Sequence, residues 1–431
     1  MSIPIDKLYH YIEGIARSIR GGDDIVIYRF YPHGSKKLTD LTPLSPVSLI
    51  HIRTSIGLYC NDQEPLTYDV YENQENLLVV SNFNKLLRTY NLTQFQSLNL
   101  KQYNGIYDKA LLLHSELNST DVLKYSNNGY IPVYYWSHAI IAHDWYRYAQ
   151  YEQPSKTIKK IFLIYNRAWS GSREYRLKFI DLLIDYNLVN ACNVSFNPVE
   201  PELQIHYTQH SYINKSWLPN HNLEYYIPSK TGIASSASAD YEIADYNATE
   251  FEVVLETLFD DDRIQLTEKI LRPIALGQPF LLAAGPGSLE YLRSYGFRTF
   301  ASVIDESYDT IEDPLMRLDA IVKSMRKITE WSNQERAEKM ALANQIAAYN
   351  RKHFFSDKFF NTVIDELHTN LKNGITELEN TNTSEGFFKR RKELMKYPEI
   401  ANEISASYTR KNTATMLKKA RRYYRRTLPK E

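Results

Sequence analysis

Strand-like apolar runs alternate with helical patterns along most of this chain, and this alternation restricts the fold more than any other feature. Residues 23–32 and 46–60 are rich in β-forming residues, and the apolar run 161–165 leads through a Gly-Ser turn into a helical pattern. Strands that alternate with helices form parallel sheets covered by helices. We therefore predict an α/β protein with two Rossmann-like domains that face each other across a cleft.

A polar stretch that contains a proline, residues 152–160, marks the predicted boundary between these domains. A chain of 431 residues is long for a single hydrophobic core, so two domains are expected. We assign the first domain to residues 1–151 and the second to residues 152–372. An Asn- and Thr-rich surface loop at 374–386 is predicted to lead into a basic helical tail, so the third segment is 373–431.

Cysteine usage and hydropathy indicate the compartment. Cys60 and Cys192 are far apart and form no Cys-x-x-Cys pair, which indicates neither a disulfide framework nor a structural zinc site. The N-terminal residues include early acids and lack the apolar stretch of a signal peptide. No run approaches the length that crosses a bilayer. We therefore expect a cytoplasmic protein without a transmembrane segment.

The zero net charge of the chain hides a basic C-terminal end. From Phe387 onward there are 14 Lys and Arg residues against 4 Asp and Glu residues, a local charge of +10. Such residues, interleaved with tyrosines, suit a nucleic-acid backbone and its bases, but they also suit anionic lipid or simple solvation. The nucleic-acid-binding candidates are Lys418, Lys419, Arg421, Arg422, Arg425 and Arg426.

The segment "LTEKILRPIALGQPFLLAAGPGS" contains a helix start with an unusual charge. Thr267 is predicted to cap a helix whose first turn holds Glu268 and Lys269. A lysine is unfavourable beside the positive end of the helix dipole unless an anion lies there too. We therefore predict an anion-binding site at Lys269, with Glu268 placed to accept hydrogen bonds from a ribose.

A buried strand is expected directly after that helix. The run "QPFLLAAG" predicts a parallel strand that ends at a turn containing Gly285 and Gly287. Open α/β sheets bind ligands at the carboxyl ends of their strands, which places this turn beside the predicted anion site. The alternative is a plain strand–turn–helix unit without a ligand.

Residues 251–292, "FEVVLETLFDDDRIQLTEKILRPIALGQPFLLAAGPGSLEYL", resemble the nucleotide-binding segment of the α1,3-fucosyltransferase family. The resemblance covers about residues 251–300. It implies the GT-B fold, in which two Rossmann-like domains bind a sugar nucleotide, here a UDP- or GDP-linked sugar held mainly by the second domain. Three other segments, "CNDQEPL", "WSHAIIAHDWYRYA" and "IYNRAWSGSREYRLKF", are similar to glycosyltransferase-like proteins encoded by tailed bacteriophages. The cytoplasm would then be that of the infected bacterial host.

The family pattern also implies roles for individual residues. Carried over, Glu268 contacts the ribose and Lys269 the diphosphate. Glu256 matches the acid of a Phe-Glu-Asn element, although Leu255 and Thr257 depart from that element on either side. No other cofactor and no metal is implied, because basic residues neutralise the diphosphate.

Two arginines follow the first strand of the second domain. Arg167 and Arg173 flank a turn in which Gly171 allows close approach, and either of them fits the family's arginine at this place. A guanidinium forms bidentate, charge-assisted bonds with a diphosphate and stabilises it as a leaving group. The alternative is a surface arginine paired with Glu174 or another nearby acid.

Sugar transfer with inversion needs a carboxylate that removes the proton from the acceptor hydroxyl. Glu64 and Asp62, at the end of a predicted strand, are the first candidates, and Glu116 is the third. Each of them is alternatively an ordinary loop carboxylate. His138 and His143 are five residues apart, which is not the spacing of a helical zinc pair.

These features predict a glycosyltransferase that uses a nucleotide sugar, inverts the anomeric centre and needs no metal. A phage setting and the basic tail favour hydroxymethylated pyrimidines in DNA as the acceptor. A surface glycan or lipopolysaccharide is the alternative acceptor. A non-catalytic nucleic-acid-binding phage protein with a degenerate transferase fold is the alternative function.

Overall fold

The described residues form two four-stranded parallel sheets. The computed structural model describes residues 8–19, 25–29, 56–60, 110–118, 130–152, 155–201, 203–227, 240–260 and 263–381. The strands are β1 (Ile25–Arg29), β2 (Ile56–Cys60), β3 (Ala110–His114), β4 (Tyr130–Tyr134), β5 (Lys160–Asn166), β6 (Cys192–Phe196), β7 (Thr249–Leu255) and β8 (Phe280–Ala283). The α-helices are α1 (Leu8–Ile19), α2 (Ser137–Trp145), α3 (Tyr175–Asp185), α4 (Leu223–Tyr226), α5 (Ile243–Asn247), α6 (Glu268–Leu276), α7 (Ser288–Ser294), α8 (Pro314–Thr329), α9 (Asn333–Phe354) and α10 (Asp357–Thr381).

The first sheet follows the order of the chain, β1-β2-β3-β4, and all its pairs are parallel. The second sheet has the order β6-β5-β7-β8 and is also parallel. Helix α3 lies between β5 and β6 in the chain, and α6 lies between β7 and β8. The predicted α/β class with parallel sheets is therefore confirmed.

The second sheet is apolar because helices cover it. Phe251, Val253, Val254 and Leu255 of β7 are all buried, and all four residues of β8 are buried. Continuous burial of this kind is typical of parallel strands covered on both faces. Since the four strands run in the same direction, the carboxyl ends of β5, β7 and β8 lie at one edge of this sheet, which we call the carboxyl edge.

Helix α6 begins and ends where its sequence predicts. The Thr267 hydroxyl accepts a hydrogen bond from the backbone N–H of Lys269 at 3.4 Å, so Thr267 is the N-cap. Gly277 ends the helix with φ of +68°, a left-handed conformation that suits glycine. A Cβ at Gly277 would also lie 3.2 Å from the Arg351 side chain.

A buried ion pair joins α6 to the sheet. The Arg272 guanidinium on α6 donates to the Glu252 carboxylate on β7 at 2.5 Å, and both side chains are almost fully buried. The Tyr246 hydroxyl donates to the same carboxylate, and Arg272 also lies over the Tyr165 ring at 4.7 Å. The desolvation cost of burying these charges is offset because each one has a partner of opposite sign and further polar contacts.

The C-terminal helices return to the first sheet. Helix α10 packs against β3, β4, α2 and α1. The Asn370 amide on α10 donates to the carbonyl oxygen of Tyr134 at the end of β4 at 2.9 Å. Arg351 on α9 donates to the carbonyl oxygens of Ala149 and Glu152 at 2.7 and 2.5 Å. The two sheets are therefore linked by packing as well as by the segment around residue 152.

One predicted loop is partly wrong. Helix α10 continues to Thr381, through the first part of the segment 374–386 that the sequence predicted to be a loop. Leu371 and Ile375 are buried on its packed face, so apolar contacts outweigh the local preference of the Asn- and Thr-rich residues that follow. Among the described residues, no helix combines the length and apolar character needed to cross a membrane.

The buried pair predicts a large loss of stability when one partner is removed. Arg272→Met should lower the free energy of unfolding by about 3–5 kcal/mol, because Glu252 would remain buried without a cation. Urea unfolding followed by circular dichroism measures this. Arg326→Met is the control: Arg326 pairs with Glu330, and both side chains are about half exposed, so its loss should cost at most about 1 kcal/mol. Equal losses in the two variants would contradict the prediction.

Candidate functional site

Glu256 anchors the carboxyl edge. It follows β7 directly, its backbone N–H donates to the carbonyl oxygen of Ala283 at 2.9 Å, and its side chain is fully buried. Its carboxylate accepts the backbone N–H of Thr267 at 3.0 Å and the Thr267 hydroxyl at 2.5 Å. The acid therefore holds the N-terminus of α6 beside the end of β7. In this structure its role is to position the helix.

Lys269 lies at that helix start, as the sequence predicted. Its ammonium donates to the Glu268 carboxylate at 2.9 Å, to the Thr267 hydroxyl at 3.2 Å and to the Thr257 hydroxyl at 3.3 Å. The side chain keeps 15% of its surface exposed. Lys269 thus has one anionic partner and lies near the first turn of α6, where a second anion would meet the helix dipole as well as the ammonium.

Glu268 is less accessible than Lys269. It is only 3% exposed, and its second carboxylate oxygen lies 3.1 Å from Nδ1 of His138 on α2. One carboxylate oxygen therefore accepts from Lys269, and the other lies against the His138 ring. A ribose could reach this carboxylate only by replacing one of these contacts, so the predicted ribose contact remains a prediction.

The turn after β8 satisfies its own polar groups. The backbone N–H of Gly287 donates to the carbonyl oxygen of Asp309 at 2.8 Å, and the Ser288 hydroxyl donates to the carbonyl oxygen of Gly285 at 2.7 Å. The Asp309 carboxylate also accepts the N–H of Leu289 at 2.9 Å, at the start of α7. Gly287 has φ of +79°, which suits glycine there. The turn lies at the carboxyl edge as predicted, but these groups are already bonded within the protein.

Arg167 and Arg173 lie on the connection between β5 and α3. The Nε–H of Arg173 donates to the carbonyl oxygen of Ser170 at 3.2 Å. Glu174 binds other groups: its carboxylate accepts from Nε2 of His210 at 2.7 Å and from the backbone N–H of Ile213 at 2.9 Å. The structure therefore brings both arginines to the carboxyl edge, where a diphosphate contact remains a prediction.

Arg176 is a cation that the sequence reasoning missed. Its guanidinium is 2% exposed and donates to the carbonyl oxygens of Ala168 and Leu255, each at 2.6 Å, and of Glu256 at 3.0 Å. Within the part of the chain that the structure describes, Arg176 has no carboxylate at ion-pair distance. The helical spacing of Arg176, Phe179 and Leu183 places all three on one face, and this pattern was the signal for its burial.

The ends of the first sheet meet the segment that leads into α6. Leu117 and Ile264 form an antiparallel β-bridge, with hydrogen bonds of 2.9 and 3.0 Å. Gln265 donates to the Ser115 hydroxyl at 3.1 Å, and the Trp136 indole donates to the carbonyl oxygen of Leu266 at 2.8 Å. Residues that follow β3 and β4 are thereby held next to the predicted donor site.

Glu116, one of the three predicted bases, lies at this contact. It is buried, and Arg263 donates to its carboxylate at 3.2 Å. Arg263 thereby places a positive charge beside Glu116 and occupies one of its carboxylate oxygens. The other two candidates, Glu64 and Asp62, lie outside the described residues, as do Lys418, Lys419, Arg421, Arg422, Arg425 and Arg426.

One cluster has the composition of a metal site. Asp181, Asp185 and His221 bring possible ligand atoms within 4.8 Å of one another. However, the Asp181 carboxylate accepts the backbone N–H groups of Asn220 and His221, both at 2.9 Å, and the Lys178 ammonium at 2.6 Å. These bonds give Asp181 a structural role in holding the 220–221 turn against α3.

His114, the last residue of β3, makes the stability of the protein depend on pH. Burial lowers the pKa of this imidazole to about 4, and its Nδ1–H donates to the carbonyl oxygen of Glu116 at 3.1 Å. The unfolded chain takes up this proton near pH 6.5, whereas the folded protein takes it up only near pH 4. Stability from His114 is therefore present above pH 6.5 and is lost as the pH falls towards 4.

The variant His114→Asn tests this effect, because Asn keeps a donor near the Nδ1 position and does not titrate. Between pH 7.5 and pH 5 the wild type should lose about 2 kcal/mol of unfolding free energy relative to the variant. Urea unfolding at several pH values measures the difference. It should stay constant between pH 7.5 and 8.5, and a constant difference down to pH 5 would contradict the prediction.

Comparison with known proteins adds no relative. No protein-family model matches this chain, and no match exists among the curated proteins or the solved structures that were compared with it. Any function assigned to the chain therefore depends on its own residues and their geometry.

Proposed function

We propose that this protein is a nucleotide-sugar-dependent glycosyltransferase of the GT-B type, with Rossmann-like domains at residues 1–151 and 152–372. The observation that carries the proposal is the meeting of residues 115–118, which follow β3, with residues 263–267, which lead into α6. Parallel α/β sheets bind ligands at the carboxyl ends of their strands. If the carboxyl ends of the two sheets meet, a donor can bind at one sheet and an acceptor at the other.

The charges at the carboxyl edge support a diphosphate donor. Lys269 and the first turn of α6 are on one side, and the buried Arg176 guanidinium is next to the end of β7. Arg167 and Arg173 follow β5 on the same edge. These groups would neutralise the diphosphate of a UDP- or GDP-linked sugar and stabilise it as it leaves, so no metal is required.

The proposed reaction is a single displacement. A carboxylate accepts the proton of the acceptor hydroxyl while the oxygen attacks the anomeric carbon, and the nucleoside diphosphate departs from the opposite face. The anomeric configuration is thereby inverted. Glu116 is the described candidate for the base, and its carboxylate pairs with Arg263. Glu64 and Asp62 remain the other candidates.

For the acceptor we favour hydroxymethylated pyrimidines in phage DNA, bound with the help of the basic residues from Phe387 onward, in the cytoplasm of an infected host. A surface glycan or lipopolysaccharide is the second acceptor. A degenerate transferase fold that only binds nucleic acid is the alternative function, which the donor-binding and turnover experiments below exclude or support.

Donor binding tests the first part of the proposal. Lys269→Ala should weaken the binding of UDP- or GDP-sugars by roughly 10- to 100-fold, the loss expected for one charge-assisted contact. Isothermal titration with a panel of UDP-, GDP- and CMP-sugars measures it. Lys339→Ala is the control, because Lys339 is a surface lysine paired with Glu335 on α9. Equal affinity in the wild type and Lys269→Ala would contradict the proposed role of Lys269.

Acceptor choice is tested by turnover and by salt. Nucleotide release and mass-shifted nucleosides are expected when a sugar nucleotide and hydroxymethylated DNA are both present. DNA affinity should fall by about 10-fold or more between 50 and 200 mM salt, because basic side chains displace counterions from the DNA. Deleting residues 387–431 should weaken DNA binding and reduce this salt dependence. Turnover with a glycan but never with DNA would contradict the favoured acceptor.

A further inference from the structure

Asn166 is a buried amide with unused hydrogen-bonding capacity. It is the last residue of β5, its backbone pairs with Phe196, and its side chain is only 1% exposed. Neither its Oδ1 nor its Nδ2 has a hydrogen-bond partner among the described residues. A buried amide of this kind lowers stability, because folding removes its bonds to water without replacing them.

A second asparagine shows what a structural amide looks like in this protein. Asn350 on α9 is also 1% exposed, but its Oδ1 accepts the backbone N–H of Arg298 at 2.8 Å. Its Nδ2 donates to the carbonyl oxygen of the same residue at 2.7 Å. Asn350 therefore binds a loop to a helix with both ends of its amide. The Asn166 amide is equally buried, but neither its Oδ1 nor its Nδ2 has a partner among the described residues.

Two more polar groups with unused capacity lie on the same connection. The hydroxyl of Ser172 and the Nε–H of Arg176 are buried and have no partner in the described part of the chain. Arg176 holds the carbonyl oxygen of Ala168, two residues after Asn166. All three residues belong to the stretch 166–176 at the carboxyl edge, where sheets of this kind bind ligands.

We propose that Asn166 binds the transferred sugar of the donor, with Ser172 as a second contact. A primary amide donates and accepts at the same time, so it complements two neighbouring hydroxyl groups of a sugar ring. Arg176, whose guanidinium donates to the carbonyl oxygen of Ala168, supplies positive charge on the same connection, which suits the phosphate attached to that ring. The Asn166 side chain is only 1% exposed, so the residues around it must shift to admit the sugar. This inference rests on the proposed glycosyltransferase function.

The variant Asn166→Leu, of similar shape, separates a binding role from a structural one. Its urea midpoint should equal or exceed that of the wild type, because no bonded partner is lost. Its affinity for UDP and GDP should be unchanged, whereas the additional affinity for the matching nucleotide sugar should fall about 10-fold. Asn350→Leu is the matched control and should shift the midpoint downward without changing the sugar preference.

Contrary results distinguish a failure of this inference from a failure of the proposed function. If Asn166→Leu lowers the midpoint as much as Asn350→Leu, a buried water satisfies the amide, its role is structural, and the inference is overturned. If the wild type prefers the nucleotide sugar and Asn166→Leu retains that preference, the inference alone is overturned. A wild type that binds no nucleotide and no nucleotide sugar contradicts the proposed function and the inference together.

Discussion

The buried Glu256 residue connects strands β7 and β8 to helices α3 and α6. Its backbone N–H continues the pairing of β7 with β8, and its carbonyl oxygen accepts from Tyr175 and Arg176 on α3. Its carboxylate binds both the N–H and the hydroxyl of Thr267, and so fixes the start of α6. The position of Lys269 depends on this anchor, because a lysine in the first turn moves with the helix start.

Glu256 also restricts the contact between the two sheets. Thr267 ends a short extended segment whose earlier residues, Arg263, Gln265 and Leu266, contact the residues that follow β3 and β4. Fixing one end of this segment to Glu256 limits where the other contacts can form. The packing of α10 against the first sheet then holds the halves together from a second direction. A proposed donor site is thereby placed next to a proposed acceptor site.

Local features were predictable because each depends on a few neighbouring residues. The Thr267 cap, the Gly277 helix end and the parallel strand after it follow from residue preferences at helix ends and from a short apolar run. The prediction of a loop from residue 374 was wrong because helix α10 continues to Thr381, with Ile375 buried on its packed face. Contacts between distant residues, such as Glu116 with Arg263, had no signal in one sequence.

Periodicity and capping were enough to predict the α/β class, helix α6 with its lysine in the first turn, and strand β8. Which polar groups are bonded became visible only once the chain was folded. Folding places the Arg176 guanidinium against carbonyl oxygens and leaves the Asn166 amide without a partner in the described residues. Desolvation and pairing depend on groups far apart in the chain, so chain folding, and not residue type, distinguishes Asn166 from Asn350.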